Sequence, residues 1–298
     1  MLQGLKNLTD VMLVSEVDTN LITHLPVTLT NLVLPARRFD FSITPDSLFH
    51  LTNLETLSMG GLGARLTNDS LFKIGRTFKK VVTLRIQETF DNDPFTFPKE
   101  VCDTLFPSLT SLECTCNNTH FIDFIVSVRR TKLRLLDVSK FDYNKKHISL
   151  TDMIPILQQC PELTDLGILL TPEVSPQTME LLGSRFFPRL RTMTLAVSES
   201  MFITPLLRKI DQPLRSLFFD FHSYYIKSRL VPIASLQHLE IHSRRTWSWA
   251  DVGVFYPLLE TCVVQHKSYS KNEWLKWIHG PEETDGDHEI YEPLVSIE

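Results

Sequence analysis

Leu163-Thr164-Asp165-Leu166-Gly167-Ile168 returns 27 residues later as Leu190-Arg191-Thr192-Met193-Thr194-Leu195 and again, after 24 more, as Leu214-Arg215-Ser216-Leu217-Phe218-Phe219. Each copy spaces an apolar residue, two of any kind, an apolar residue, one of any kind and a third apolar residue. Eleven copies start between Leu8 and Leu259 at intervals of 21 to 30 residues. The other triplets are Leu8/Val11/Leu13, Leu29/Leu32/Leu34, Leu54/Leu57/Met59, Val81/Leu84/Ile86, Leu109/Leu112/Cys114, Leu133/Leu136/Val138, Leu236/Leu239/Ile241 and Leu259/Cys262/Val264. Self-similarity at such a period is the signature of a stacked array. The last two members of a triplet stand two apart, so on a strand they face the same way and bury one stripe. One unit of this length cannot offset its own conformational entropy, so neighbours must share a core, and links running in one direction make the strands parallel.

The return path of each unit carries helix signals where the intervals are long. Thr67-Asn68-Asp69-Ser70 precedes Leu71, Phe72, Ile74 and Phe78; Thr151-Asp152 precedes Met153, Ile154, Ile156 and Leu157; Ser175-Pro176 precedes Met179, Leu181 and Leu182. Side-chain acceptors at the cap, or proline in the first turn, favour a helix start there. The last intervals shrink to 24, 22 and 23 residues and contain Pro213, Pro232 and Pro257, which predicts extended or single-turn connections instead. The pattern is that of a leucine-rich-repeat solenoid: an α/β horseshoe with a parallel concave β-sheet, convex helices or irregular connections, and about eleven repeats. We expect it to span residues 5–278, with helix-spaced Trp274, Leu275, Trp277 and Ile278 capping its C-terminal end, followed by an acidic tail over 279–298.

Leu150-Thr151-Asp152-Met153-Ile154-Pro155-Ile156-Leu157-Gln158-Gln159-Cys160-Pro161-Glu162-Leu163-Thr164-Asp165-Leu166 resembles the repeats of F-box/leucine-rich-repeat proteins, in which a short helix ends in Cys-Pro before the next strand. Phe106-Pro107-Ser108-Leu109 and Phe187-Pro188-Arg189-Leu190 share the Pro-x-Leu entry. The resemblance implies a substrate-recognition role in a ubiquitin-ligase adaptor, with ubiquitin-ligase subunits among the partners and the F-box on a segment other than this one. The chain departs from the repeat pattern in one respect: of the residues closing the strands, only Asn117 is the usual asparagine. An asparagine ladder satisfies backbone groups in those turns, so here they must be satisfied otherwise.

Composition narrows the function. The net charge is −5, yet the seven acids from Glu282 to Glu298 face no Lys or Arg, so the rest of the chain stands near +2 (−5 plus 7). That is no general polyanion surface, and nucleic acid is not an expected partner. No signal-type start and no run of about 18 apolar residues is present, so neither secretion nor a membrane partner is expected. Five scattered cysteines do not form a disulfide framework, and the reading is an intracellular protein, cytoplasmic or nuclear. Gly-x-Ser-x-Gly, His-Glu-x-x-His, Cys-x-x-Cys and a phosphate-cradling glycine loop are all missing, so no catalytic residue, cofactor or resident metal is expected.

Residues between the triplet members point away from the core and are those that choose a partner. They group in two places. Arg85, Glu113, Asp137 and Asp165 form a polar centre; Phe218, Asp220, His238, Glu240 and His242 lie toward the C-terminal end, with Arg244, Arg245, Trp247 and Trp249 in the following loop. Exposed aromatics and arginines dominate binding hot spots, which favours the second group as a protein-binding site; the bland alternative is that its tryptophans fill space under short linkers. His238, Glu240 and His242 also suggest a metal site, but alternate strand residues diverge by about 7 Å, which opposes the convergence zinc needs. The expected function is a non-enzymatic protein-interaction scaffold. GTPase activation, as in the leucine-rich Ran GTPase-activating proteins, is the enzymatic alternative, with Arg37 and Arg38 placed to contribute electrostatically.

Overall fold

The computed structural model describes residues 7–13, 19–34, 45–59, 68–86, 104–114, 132–139, 154, 157–170, 189–197, 214–221, 233, 235–243, 258–264 and 267–270. Every apolar triplet lands on or beside a strand: β1 (Asp10–Met12), β2 (Asn31–Val33), β3 (Thr56–Met59), β4 (Thr83–Ile86), β5 (Ser111–Cys114), β6 (Leu135–Asp137), β7 (Asp165–Leu170), β8 (Thr192–Val197), β9 (Ser216–Phe221), β10 (His238–Ser243) and β11 (Thr261–Val264). These eleven pair in sequence order, all parallel, as a solenoid sheet. A twelfth strand, β12 (Lys267–Ser270), turns back and pairs antiparallel with β11.

The register follows from the triplets. One continuous row runs Asp10, Asn31, Thr56, Thr83, Ser111, Leu135, Asp165, Thr192, Ser216, His238, Thr261. Two residues on, the row that holds Arg85, Glu113, Asp137, Gly167, Phe218 and Glu240 is equally unbroken. Between these rows the triplet residues make the core: Leu32, Leu57, Leu84, Leu112, Leu136, Met193, Leu217, Leu239 and Cys262 are fully buried. Two places depart from that pattern. Leu8, Val11 and Leu13 of the first repeat are only half-buried, because no described strand lies beyond β1. In the sixth repeat Val138 is half-buried while Ser139 is buried: the Asp137 carboxylate accepts from Ser139 N–H (2.9 Å) and Oγ–H (2.6 Å), a turn that ends β6 after three residues.

The strand entries are joined by a backbone ladder. The carbonyls of Thr9, Thr30, Glu55, Val82, Thr110, Arg134, Thr164, Arg191, Arg215 and Gln237 each accept two N–H groups of the next repeat, at 2.7–3.2 Å. Thr9, for example, receives Thr30 and Asn31, and Arg134 receives Thr164 and Asp165. Side chains two residues earlier add staples: Thr28 Oγ1 donates to the Leu8 carbonyl (3.0 Å), Asn53 Nδ2 to that of Val27 (2.8 Å) and Ser235 Oγ to that of Leu214 (2.7 Å). The strand-closing positions at the opposite end, Asn117 among them, lie outside the described residues except Lys267, where β12 begins.

Helices are few among the described residues. α1 (Thr19–Thr23) is a single turn, and Pro45–Leu48 is a 3-10 turn. α2 (Asn68–Thr77) forms where the Thr67-to-Ser70 cap signals place it, buries Ile74, and is followed directly by buried Phe78. Glycine at position 75 lets the next repeat approach, since a Cβ there would lie 2.8 Å from the Phe106 ring. Phe106 itself has φ 45°, a left-handed backbone held by its N–H donating to Gly75 C=O (2.9 Å) and by a fully buried side chain. Before Cys160 the chain is helical at Ile154 and Leu157, with Gln158 N–H donating to Ile154 C=O (3.0 Å). Ser175-Pro176, and Trp274 to Ile278, lie outside the described residues. The C-terminal end of the described sheet is instead flanked by β12.

Candidate functional site

Four-residue strands give way to six-residue strands from β7 to β10, so the face opposite the core is widest there. On it, strand alternation presents His238, Glu240 and His242 from β10 and Phe218 and Asp220 from β9. Register sets Phe218 opposite Glu240, and Asp220 opposite His242. Glu240 reaches both histidines: its Oε2 lies 3.6 Å from His238 Nε2 and its Oε1 2.6 Å from His242 Nε2, the latter a close contact outside hydrogen-bond alignment. His238 Nδ1 meets Thr261 Oγ1 on β11, so the polar chain crosses from one repeat to the next. The Phe218 ring tilts against the His238 ring, with centroids 5.2 Å apart. All three β10 side chains keep about a quarter to a third of their surface exposed, at 28, 24 and 37 %.

This is an aromatic platform edged by charge, and it is where the sequence placed its better candidate. A carboxylate held between two imidazoles can accept from a donor or, with the histidines protonated, sit in a net positive surround. Among the described residues no group of three or more His, Cys, Asp or Glu is arranged to hold a metal ion. Arg244, Arg245, Trp247 and Trp249 lie outside the described residues, as do Arg37 and Arg38.

The polar centre is brought together only in part. Arg85 Nε pairs with Glu113 Oε1 across β4 and β5 at 2.8 Å, with Glu113 mostly covered at 17 % exposure. Asp137 is turned onto Ser139, and it also fills the space above Gly167, where a Cβ would meet Asp137 Oδ1 at 2.1 Å. Asp165 accepts from the Thr164 hydroxyl at 2.6 Å. Each acid of the centre therefore has a local partner. Beside Arg85 in the same row, Ser58 is buried and its Oγ has no hydrogen-bond partner among the described residues.

One feature escaped the sequence reading altogether. An open groove of about 580 Å³ lies at the strand entries of β6 to β8, lined by Arg134, Glu162, Thr164, Asp165, Arg189 and Arg191 among others. Its signal was a row not read: the residue after each triplet's first member, which is arginine at 134, 191 and 215.

No protein-family model matches the chain, and no curated protein matches it either. Geometry alone carries the functional reading.

Proposed function

We propose that this chain is a leucine-rich-repeat horseshoe whose concave sheet holds a protein partner, without catalysis of its own, inside the cell. The observation that supports it most is the platform of Phe218, His238, Glu240 and His242. An aromatic ring, a carboxylate and two imidazoles stand partly exposed on the widest strands, spaced by a fixed register. Rigid, pre-registered side chains lose little freedom on binding, and aromatic anchors contribute most of the energy of such interfaces. Asp220 extends the platform toward β8. The ubiquitin-ligase adaptor role is the specific form of this reading suggested by the Cys160-Pro161 repeat, with a substrate protein as the partner.

Buried thiols agree with a reducing setting. Cys114, Cys160 and Cys262 are buried, packed as small apolar residues in the core. No helix among the described residues is long and apolar enough to cross a membrane.

The test is comparative capture from cell extract, with the chain as bait beside two variants. Phe218→Ala with Glu240→Ala should lose the proteins retained by the parent while melting at the same temperature. Arg85→Ala should retain them. A platform variant that is folded and captures the same set removes the platform from the interface.

A further inference from the structure

The groove at the strand entries has a charge pattern unlike the platform. Arg134, Arg191 and Arg215 occupy one row, on the repeats of β6, β8 and β9, and their carbonyls belong to the backbone ladder that fixes their spacing. All three side chains are exposed, and none has a side-chain partner among the described residues. The acids nearby are too few to balance them: Glu162 pairs with Arg189, and Asp165, which accepts from the Thr164 hydroxyl, is a single charge beside three arginines. What remains unmatched is a short line of guanidinium groups, with Arg134 and Arg191 lining the groove and Arg215 one strand beyond it.

Neighbouring strands lie about 4.8 Å apart, so Arg134 and Arg191 stand about 10 Å apart along the row and Arg215 about 5 Å further. In an extended segment, alternate side chains repeat at about 7 Å, within reach of flexible arginine side chains. Nucleic acid fits less well: a continuous phosphate chain would pass over Glu162 and Asp165, and among the described residues the groove offers no aromatic ring for base stacking. Spaced carboxylates can meet the arginines while neutral residues pass over the acids.

We propose that this arginine rim binds an extended acidic segment of a partner protein, carrying carboxylates at alternate positions. The rim is disjoint from the Phe218–Glu240 platform and would add a second point of attachment for one partner, or a separate one.

The experiment measures fluorescence anisotropy of a labelled peptide of five Glu-Ser repeats with the full chain at low salt. Binding should weaken at least about tenfold when Arg134, Arg191 and Arg215 are all changed to Gln, and should weaken steeply as salt rises. The single change Arg191→Glu should also weaken it and guards against a misfolded triple variant. Phe218→Ala with Glu240→Ala should leave it unchanged, which separates this site from the platform. Equal peptide affinity in the parent and in Arg191→Glu would overturn the proposal, as would tighter binding of a ten-nucleotide oligouridylate than of the peptide. A further arm changes the seven acids between Glu282 and Glu298 to their amides. Unaltered affinity supports a partner's segment as the occupant, and a rise of about tenfold would mean that the chain's own tail occupies the rim, overturning that assignment.

Discussion

Gly167 and Asp137 show how one residue's chemistry is set by a neighbour a whole repeat away. The Asp137 carboxylate lies where a Cβ at 167 would be, and it ties down Ser139 from there. Gly167→Ala should therefore displace the carboxylate, release the turn that ends β6, and cost about 1–3 kcal/mol, as overpacking does. In an Asp137→Ala background the same change should cost much less. A double-mutant cycle on urea melts should give a coupling of at least about 0.5 kcal/mol, and strict additivity would show that the contact does not matter. The cysteines give a second residue-scale expectation. Burial pushes the thiols of Cys160 and Cys262 up to about 12 from an ordinary value of 9.0. Folded thiols then keep protons that unfolded ones release, so their contribution to stability is complete below about pH 9 and is lost as pH rises toward about 12. The slope is at most about 1.4 kcal/mol per pH unit for each group. Melting midpoints between pH 9 and 11 should fall more steeply in the parent than in the Cys160→Ala, Cys262→Ala double variant, and iodoacetamide at pH 8 should label neither thiol until urea unfolds the chain.

Among the elements, the two outermost strands differ most. β1 carries a half-buried triplet and Met12 at 68 % exposure, whereas Leu259 and Cys262 of the last repeat are fully buried beside the β11–β12 hairpin. Local opening follows burial and hydrogen bonding, so amides of β1 and β2 should exchange before those of β10 and β11. Equal protection at both ends in a monomer would contradict this. Strand positions were legible in the sequence because each triplet fixes both a strand and its facing: Leu84 to Leu112 to Leu136 is a register as well as a core. The β12 strand was not: Lys267-Ser268-Tyr269-Ser270 has no apolar alternation, while Trp274 to Ile278, which has the spacing of a capping helix, lies outside the described residues. Half of the candidate site was equally legible, since His238, Glu240 and His242 alternate on one strand and could only share a face. The polar centre was not, because residue type alone does not show that Asp137 turns onto its own strand end or that Asp165 is taken by Thr164. The strand-entry arginines were hidden for another reason: they sit one place outside the rows that face a partner.

Over the whole molecule, stability is a sum of units and the joints between them, and losing one joint weakens the array most where it is already thin. The joints here are nearly identical, though the segments between them are not. Ten carbonyls in a row each receive two backbone N–H groups, across intervals that vary from 21 to 30 residues. A coupling whose common part is backbone is nearly blind to sequence, so the repeats behave like carriages with a common hitch. One can be removed and the train closed up. Excising residues 163–189 would bring Arg191 and Thr192 to the Arg134 carbonyl in place of Thr164 and Asp165, and would juxtapose Leu136 with Met193 in the core. We expect the shortened chain to fold, with sheet-rich circular dichroism and a lower melting temperature. A shortened chain that shows no sheet signal would contradict this. Lineages that gain or lose whole repeats by recombination would pay only for the mismatched side chains at the new joint, and the length of such a scaffold is free to drift while its register stays fixed.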